Sequence, residues 1–219
     1  MDEKQQQTNK ELRKNIFVIV WPVFVEVLLG ALFGMVDMMM VGKIPGDTAA
    51  AVSAVGMTNQ PMFLGLSLIQ ALNVGGTAII ARYFGAKKFN RMGNILKHVM
   101  ILAMIFCVTP AAILMLLFAP EILSLLGGDA TVINVGVDYF RIVTIGFIFQ
   151  SLSFTVTAAL RGIGETKIPM KNNIIANSCN VVGNAILIYG MFGLPALGVT
   201  GAAIATALSN FIAMVLNVR

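Results

Sequence analysis

Residues 16–41 stay apolar for longer than a bilayer is thick, yet they carry two acids, Glu26 and Asp37. About 20 apolar residues in a helix cross the hydrocarbon core. No water is present there to satisfy backbone polar groups, so a spanning segment is a helix or a strand of a closed barrel. An apolar run this long, without the short alternating strands of a barrel, is a helix. A carboxylate at that depth costs roughly 2.5–3.5 kcal/mol even on lenient insertion scales; such groups turn inward and often mark an ion or proton path. Asp37 follows Glu26 by eleven positions. At about 100° per residue that returns to nearly the same helix face, about 16 Å further along the axis. The first helix therefore carries two acids on one stripe.

The remaining sequence repeats the constraint. Of the 219 residues, 58% are hydrophobic and 11% charged, against about 25% charged in an ordinary soluble domain. Six spans are expected, over residues 16–41, 50–81, 95–117, 132–160, 168–189 and 199–218, giving an all-α polytopic membrane bundle. Pro22, Pro61 and Pro110 interrupt the first three; proline removes a backbone donor and can kink a helix. The net charge of +5 is explained by its distribution. Lys4, Lys10, Arg13 and Lys14 precede the first span. Arg82, Lys87, Lys88, Arg91 and Lys97 surround the second loop, Arg161, Lys167 and Lys171 the fourth, and Arg219 stands last. Only Lys43 and Arg141 lie on or near the other side. The positive-inside rule then places both termini in the cytoplasm of a multi-pass protein of the cell membrane. Residues 1–15 form a cytoplasmic lead and 16–219 one transmembrane unit. The basic loops suit an anionic leaflet, and a nucleic-acid partner is not expected.

Polar side chains at membrane depth are the candidate site. Asn173, Asn177, Asn180 and Asn184 recur at spacings of four, three and four on the fifth span, which is one helical stripe. Carboxamide oxygens are hard, neutral ligands of the kind that hard cations prefer. The plain structural alternative is interhelical glue at about 0.6–2 kcal/mol per bond, and Asn173, near the cytoplasmic end, fits that role. Asn59, Gln60, Gln70 and Asn73 on the second span are candidates for substrate contact or for packing. Glu26, four residues after Pro22, is either part of a hinge or a hydrogen-bonded interior acid. Met35, Met38, Met39 and Met40 flank Asp37; methionine suits adaptable apolar surfaces, and only some of the four can face a cavity. Gly30 and Gly34 form a GxxxG, read as a close helix contact. His98 is interfacial, and Cys107 and Cys179 are packing residues. No nucleophile constellation and no metal-ligand cluster occurs in the sequence, so neither an enzyme nor a bound cofactor is expected.

Four stretches together resemble the multidrug and toxic compound extrusion (MATE) family of secondary transporters. They are Met35-Val36-Asp37-Met38-Met39-Met40-Val41-Gly42 with Ala51-Val52-Ser53-Ala54-Val55-Gly56; Ala81-Arg82-Tyr83-Phe84-Gly85-Ala86; Arg161-Gly162-Ile163-Gly164-Glu165-Thr166-Lys167-Ile168-Pro169-Met170; and Ile186-Leu187-Ile188-Tyr189-Gly190 continuing to Gly198-Val199-Thr200-Gly201-Ala202-Ala203-Ile204-Ala205-Thr206. The resemblance implies the N-terminal six-helix lobe of a twelve-helix fold, with a C-terminal lobe or a second copy as partner. It also implies that Asp37 couples to Na+ or H+, that Asn180 and Asn184 line the cation site, and that Thr206 is a further ligand. Some family members carry Asp where this chain has Asn184, so a two-carboxylate proton relay does not carry over; one carboxylate with neutral oxygens suits a monovalent cation, with Na+ held at Asp37, Asn180 and Asn184. The implied activity is antiport: export of an organic, cationic, amphipathic compound against Na+ or H+. Two alternatives remain open. One is a lipid-linked oligosaccharide flippase, which would want basic residues in the cavity and has only Arg141. The other is a non-transporting half that pairs with a partner lobe.

Overall fold

The computed structural model describes residues 3–44, 46–193 and 195–218, and side chains from residue 11 onward apart from Asn15 and Phe192. The side chains of Lys4, Lys10 and Arg219, used above to read topology, lie outside the described set. All regular structure is helical: α1 (Glu3–Val41), α2 (Thr48–Gly85), α3 (Phe89–Ala103), a π turn (Met104–Val108), α4 (Thr109–Leu117), α5 (Ala119–Leu125), α6 (Ala130–Gly162), α7 (Lys167–Tyr189), a 3-10 turn (Met191–Gly193) and α8 (Gly198–Val218). Five helical segments are long and apolar enough to cross a membrane, namely Glu11–Val41, Thr48–Gly85, Phe89–Leu117, Ala130–Gly162 and Gly198–Val218. The 23-residue α7 is long enough but is diluted by its asparagines, so the expected count of six is not reached on hydropathy alone. α1 begins at Glu3, so the helix extends through the described part of the expected lead.

Local chemistry fixes the ends. The Asp47 side chain accepts from the Ala50 N–H to cap α2, and Asp129 accepts from the Val132 N–H to cap α6, each relieving an orphan donor of the first turn. Gly190, at φ 71°, closes α7 in the left-handed conformation and returns its N–H to the Ile186 carbonyl, a position where a Cβ is costly. The expected interruptions divide. Both α1 and α2 run on as single helices through Pro22 and Pro61. Only Pro110 coincides with a break: it opens α4 directly after the π turn, whose wider ring absorbs the missing donor and the ring clash.

Cross-helix contacts give the directions. Glu26 meets Asn173, Asp37 meets Asn184 and the Met40 carbonyl meets Tyr189, so α1 and α7 run parallel. Ala54 lies against Gly136, Gly65 against Phe147 and Thr77 against Gly162, so α2 and α6 are parallel too. Gly146 against Ala207 and Ser153 against Asn217 align α8 with α6. The contacts of Gly201 with Leu187 and of Gly183 with Ala205 set α7 antiparallel to α8. The core lies among α2, α5, α6 and their neighbours, around Phe140, Phe147, Ile69 and Leu123. The outside is apolar instead: Phe17, Val27, Leu64 and Phe106 are all more than half exposed, the inversion expected when the solvent is lipid.

Small residues let backbones approach where lipid offers no hydrophobic drive for association. A Cβ on Gly201 would lie 2.5 Å from the Leu187 carbonyl oxygen, and one on Gly146 2.8 Å from Ala207 Cα. The GxxxG of α1 behaves otherwise: a Cβ on Gly30 or Gly34 would meet nothing within 4 Å. Among the described residues no helix packs closely there, and both glycines border an open cavity. Gly201→Ala should therefore destabilise the purified protein by about 1–3 kcal/mol, the usual cost of overpacking, while Gly30→Ala, which meets nothing, should stabilise it by about 0.5–1 kcal/mol through the helix propensity of alanine. A fluorescence melt in detergent compares the two.

Candidate functional site

Two of the expected residues meet first. Asn184 on α7 is fully buried, and its Nδ2 donates to Asp37 Oδ1 on α1. The same amide nitrogen also donates to Asn180 Oδ1 at 3.2 Å. Asn180 Nδ2 in turn donates to Thr206 Oγ1 on α8 at 3.3 Å. One chain of hydrogen bonds thus joins an acid, two amides and a hydroxyl across three helices. Its helical logic is simple: Asn180 and Asn184 are one turn apart and share a face. The chain is incomplete at one atom, since Asn184 Oδ1 is buried with no partner among the described residues. Buried acceptors left unmatched are uncommon and cost about 1–3 kcal/mol. Amide O and N are nearly isosteric. Turning the Asn184 amide over would present its oxygen to the carboxylate, an arrangement that repels unless a proton or cation sits between them.

This chain borders a cavity of about 530 Å3. Its wall includes Gly30, Phe33, Gly34 and Asp37 from α1, Asn59 and Gln60 from α2, Tyr139 and Gln150 from α6, Asn177 and Asn180 from α7, and Thr206, Ser209 and Asn210 from α8. Among the described residues Asp37 is the single charged one in that wall, and Arg141 is exposed elsewhere. Of the four methionines beside Asp37, none lines the cavity: Met35 and Met39 are exposed, and Met38 and Met40 pack against the core. Tyr139, Gln150 and Asn210 were not singled out from the sequence. The polar residues of α6 lie within long apolar runs, and their common face is visible only once α6 is placed against α2 and α8.

The second acid has its own partners. Asn173 Nδ2 donates to Glu26 Oε1, and Arg161 Nη2 lies 2.8 Å from Glu26 Oε2, with side chains 31% and 10% exposed respectively. Asn173 ties α7 to α1 at Glu26 as Asn184 does at Asp37, 147 positions apart in both cases. Arg161, in the sequence a topology marker and the start of the third family-like stretch, is also the countercharge of Glu26. Pro22 is buried within an unbroken helix. Gln70 and Asn73 do not join Asn59 and Gln60. They line a separate cavity of about 340 Å3 with Thr77, Phe154 and Arg161. His98 is exposed, its ring nitrogen 2.6 Å from the Asn94 carbonyl. Among the described residues no group of three or more His, Cys, Asp or Glu could hold a metal ion.

Residues 22–186 match the MatE family. Among curated proteins the chain is similar to YisQ, an uncharacterized transporter of Bacillus subtilis, at 30% identity over 202 residues, 92% of this chain and 43% of that one. It is similar to YoeA of the same organism, a probable multidrug resistance protein, at 30% over 210 residues, 94% of this chain and 44% of that one. Among solved structures it superposes on the Vibrio cholerae MATE transporter VcmN in the bent form with a TM-score of 0.84 at 24% identity, covering 97% of this chain and 47% of that one. A MATE in complex with MaD3S gives 0.80 at 27%, covering 93% and 44%. The chain spans less than half the length of these relatives. From the geometry, Arg161→Leu should leave Glu26 without its countercharge and destabilise the protein by about 2 kcal/mol, the scale of a hydrogen bond to a charged group. Adding Glu26→Gln should restore most of that loss in a double-mutant comparison of melting.

Proposed function

We propose, given that this chain belongs to the MatE family, that it is the N-terminal lobe of a secondary transporter that exports organic, cationic and amphipathic compounds in exchange for Na+ or H+. It is a multi-pass membrane protein, and its relatives are transporters rather than enzymes. The observation that carries the reading is the 530 Å3 cavity whose wall holds Asp37, a band of amides and, among the described residues, no basic side chain. Such a cavity attracts a cation, whether coupling ion or substrate, and repels an anion. The same wall speaks against a lipid-linked oligosaccharide, whose phosphates would want basic donors.

Asp37, Asn180, Asn184 and Thr206 form the coupling site in this proposal. Their oxygens suit Na+, a hard cation, and the unpartnered Asn184 Oδ1 supplies the acceptor that an ion would use. A proton on Asp37 would serve the same electrostatic end. Occupancy removes the reason for Asn184 to donate to Asp37, and so changes what ties α1 to α7. Two packings of α1 biased in this way are the element that alternating access requires.

The remaining finer readings belong to the same proposal. Six crossings follow if α7 spans beside α1, as their parallel pairing favours. Both termini then face the cytoplasm, with residues 1–15 leading a transmembrane unit of residues 16–219. A C-terminal lobe or a second copy completes the carrier. The test is efflux of tetraphenylphosphonium from cells expressing the chain alone or joined to a C-terminal lobe. Export by the joined protein should fall at least about tenfold on Asp37→Asn. Undiminished gradient-driven export by that variant would end the coupling role.

A further inference from the structure

Between Asp47 and Glu121 the sequence contains no acid, yet it contains Arg82, Lys87, Lys88, Arg91 and Lys97. All five are exposed around the turn from α2 to α3, and none is paired with a carboxylate among the described residues. The other basic loop differs. There Glu26 pairs with Arg161, and Glu165 accepts the backbone N–H of Lys167. Charge of one sign, gathered and uncompensated, sets up a field that an anion answers. Phe84 and Phe89 lie in the same turn, both exposed and packed edge to face at 5.8 Å. Apolar rings beside basic side chains are the combination that beds into the boundary between headgroups and acyl chains.

Beside this turn, α2, α3 and α6 form a narrow cleft of about 190 Å3. Its lining includes Ile80 from α2, Met92 and Leu96 from α3, and Val156, Leu160 and Ile163 from α6, with no polar side chain among the described residues. Ile80 is buried, whereas Met92, Leu96, Leu160 and Ile163 are half-buried, so the cleft is reached from outside. Gly93 also lines it, is exposed, and has no neighbour within 4 Å of where a Cβ would stand. The volume is below the roughly 300–1,000 Å3 of pockets for compact ligands, and the wall offers no group to orient one. A hydrocarbon chain needs none. Lys88 precedes Met92 by four residues, and Met92 precedes Leu96 by four. Lys88, the N-cap of α3, is therefore in line with the cleft, about 6 Å before Met92 along the helix. Arg91 adjoins Met92 directly.

We propose that the α2–α3 turn and this cleft together bind one anionic phospholipid, its phosphate held by Lys88 and Arg91 and part of one acyl chain lying in the cleft. Ammonium and guanidinium groups donate to phosphate oxygens through charge-assisted hydrogen bonds. The general pull of an anionic leaflet acts on every basic loop. A headgroup site joined to a chain groove acts at one place and discriminates between lipids. The inference concerns lipid binding and does not depend on Asp37 or on whether the 219-residue chain transports alone.

The test is native mass spectrometry of the purified chain in detergent, titrated with dioleoyl phosphatidylglycerol or dioleoyl phosphatidylcholine, with glycerol 3-phosphate as competitor. The wild-type chain should hold its first phosphatidylglycerol at least about tenfold more tightly than phosphatidylcholine, the scale of two cations at an anionic headgroup. Lys88→Gln with Arg91→Gln should bring the two lipids within about twofold. Removing the same charge by Lys167→Gln with Lys171→Gln should leave the wild-type preference within about twofold. All four of these side chains are exposed, so the comparison of charge pairs stands apart from any effect on folding. Gly93→Leu fills the cleft and keeps every charge, and it should weaken phosphatidylglycerol at least about fivefold. Equal retention of the two lipids by the wild type would overturn the proposal. An equal loss from both charge pairs would overturn it too, because the field would then be spread over the surface. Undiminished affinity in Gly93→Leu would mean that no chain enters the cleft. Displacement of phosphatidylglycerol by an equal concentration of glycerol 3-phosphate would identify a free phosphate as the ligand and end the lipid assignment.

Discussion

Everything distinctive in this lobe follows from the requirement that a carboxylate inside a bilayer find donors from its own protein. Asp37 and Glu26 find theirs on α7, through Asn184 and Asn173. Because the acids stand eleven residues apart and the two asparagines do as well, the pairs are met together only when α1 and α7 lie parallel in a single register. A slip of one residue would break both bonds at once. Two polar contacts therefore do for this helix pair what an apolar seam does in water, where packing alone sets register.

The contrast with the rest of the bundle is instructive. The α2, α6 and α8 helices are held by close backbone approach at small residues, with Gly136 against Ala54 and Gly146 against Ala207. Those contacts are dispersion and shape, insensitive to any ion. The attachment of α1 to α7 is hydrogen bonding to charge, and it changes whenever that charge is neutralised. The bundle thus combines a fixed body with one arm whose attachment is electrically addressable. The cavity lies between the arm and the body, walled by Asp37 on one side and by Tyr139 and Gln150 on the other.

Much of this could be read in the sequence, and the limit of that reading is physical. Periodicity reports which side chains share a face, so the acid stripe of α1 and the amide stripe of α7 were both visible. That Asn180, Asn184 and Thr206 belong with Asp37 came from the family resemblance rather than from periodicity, and hydrogen bonds link the four in one chain. Periodicity does not report which face meets which. Hence Arg161 passed as a topology marker although it neutralises Glu26, and the polar residues of α2 passed as one set although they divide between two cavities. Gly30 and Gly34 show the same limit from the other side: the motif that allows close approach in one helix borders empty space in another. The amides that make α7 interesting also hide it from a hydropathy count.

The placement of flexibility in α1 follows from where its anchors are. The sequence leaves open whether Glu26 belongs to a hinge at Pro22 or is a hydrogen-bonded interior acid; in the structure Pro22 is buried and lies outside the interval between the two tethers. A bend at Pro22 would move the lead while leaving Asp37 and Glu26 in the same relation to α7. Between the tethers the helix contains Gly30 and Gly34, neither of which has a neighbour for a Cβ to meet. Glycine weakens a helix interior by roughly 0.5–1 kcal/mol relative to alanine, and nothing packs there to stiffen it. Under the coupling proposed for Asp37, its release while Glu26 stays paired to Arg161 and Asn173 would place the stress on that segment, which also walls the cavity. The compliant part of the arm and the part a substrate would touch are therefore the same few residues.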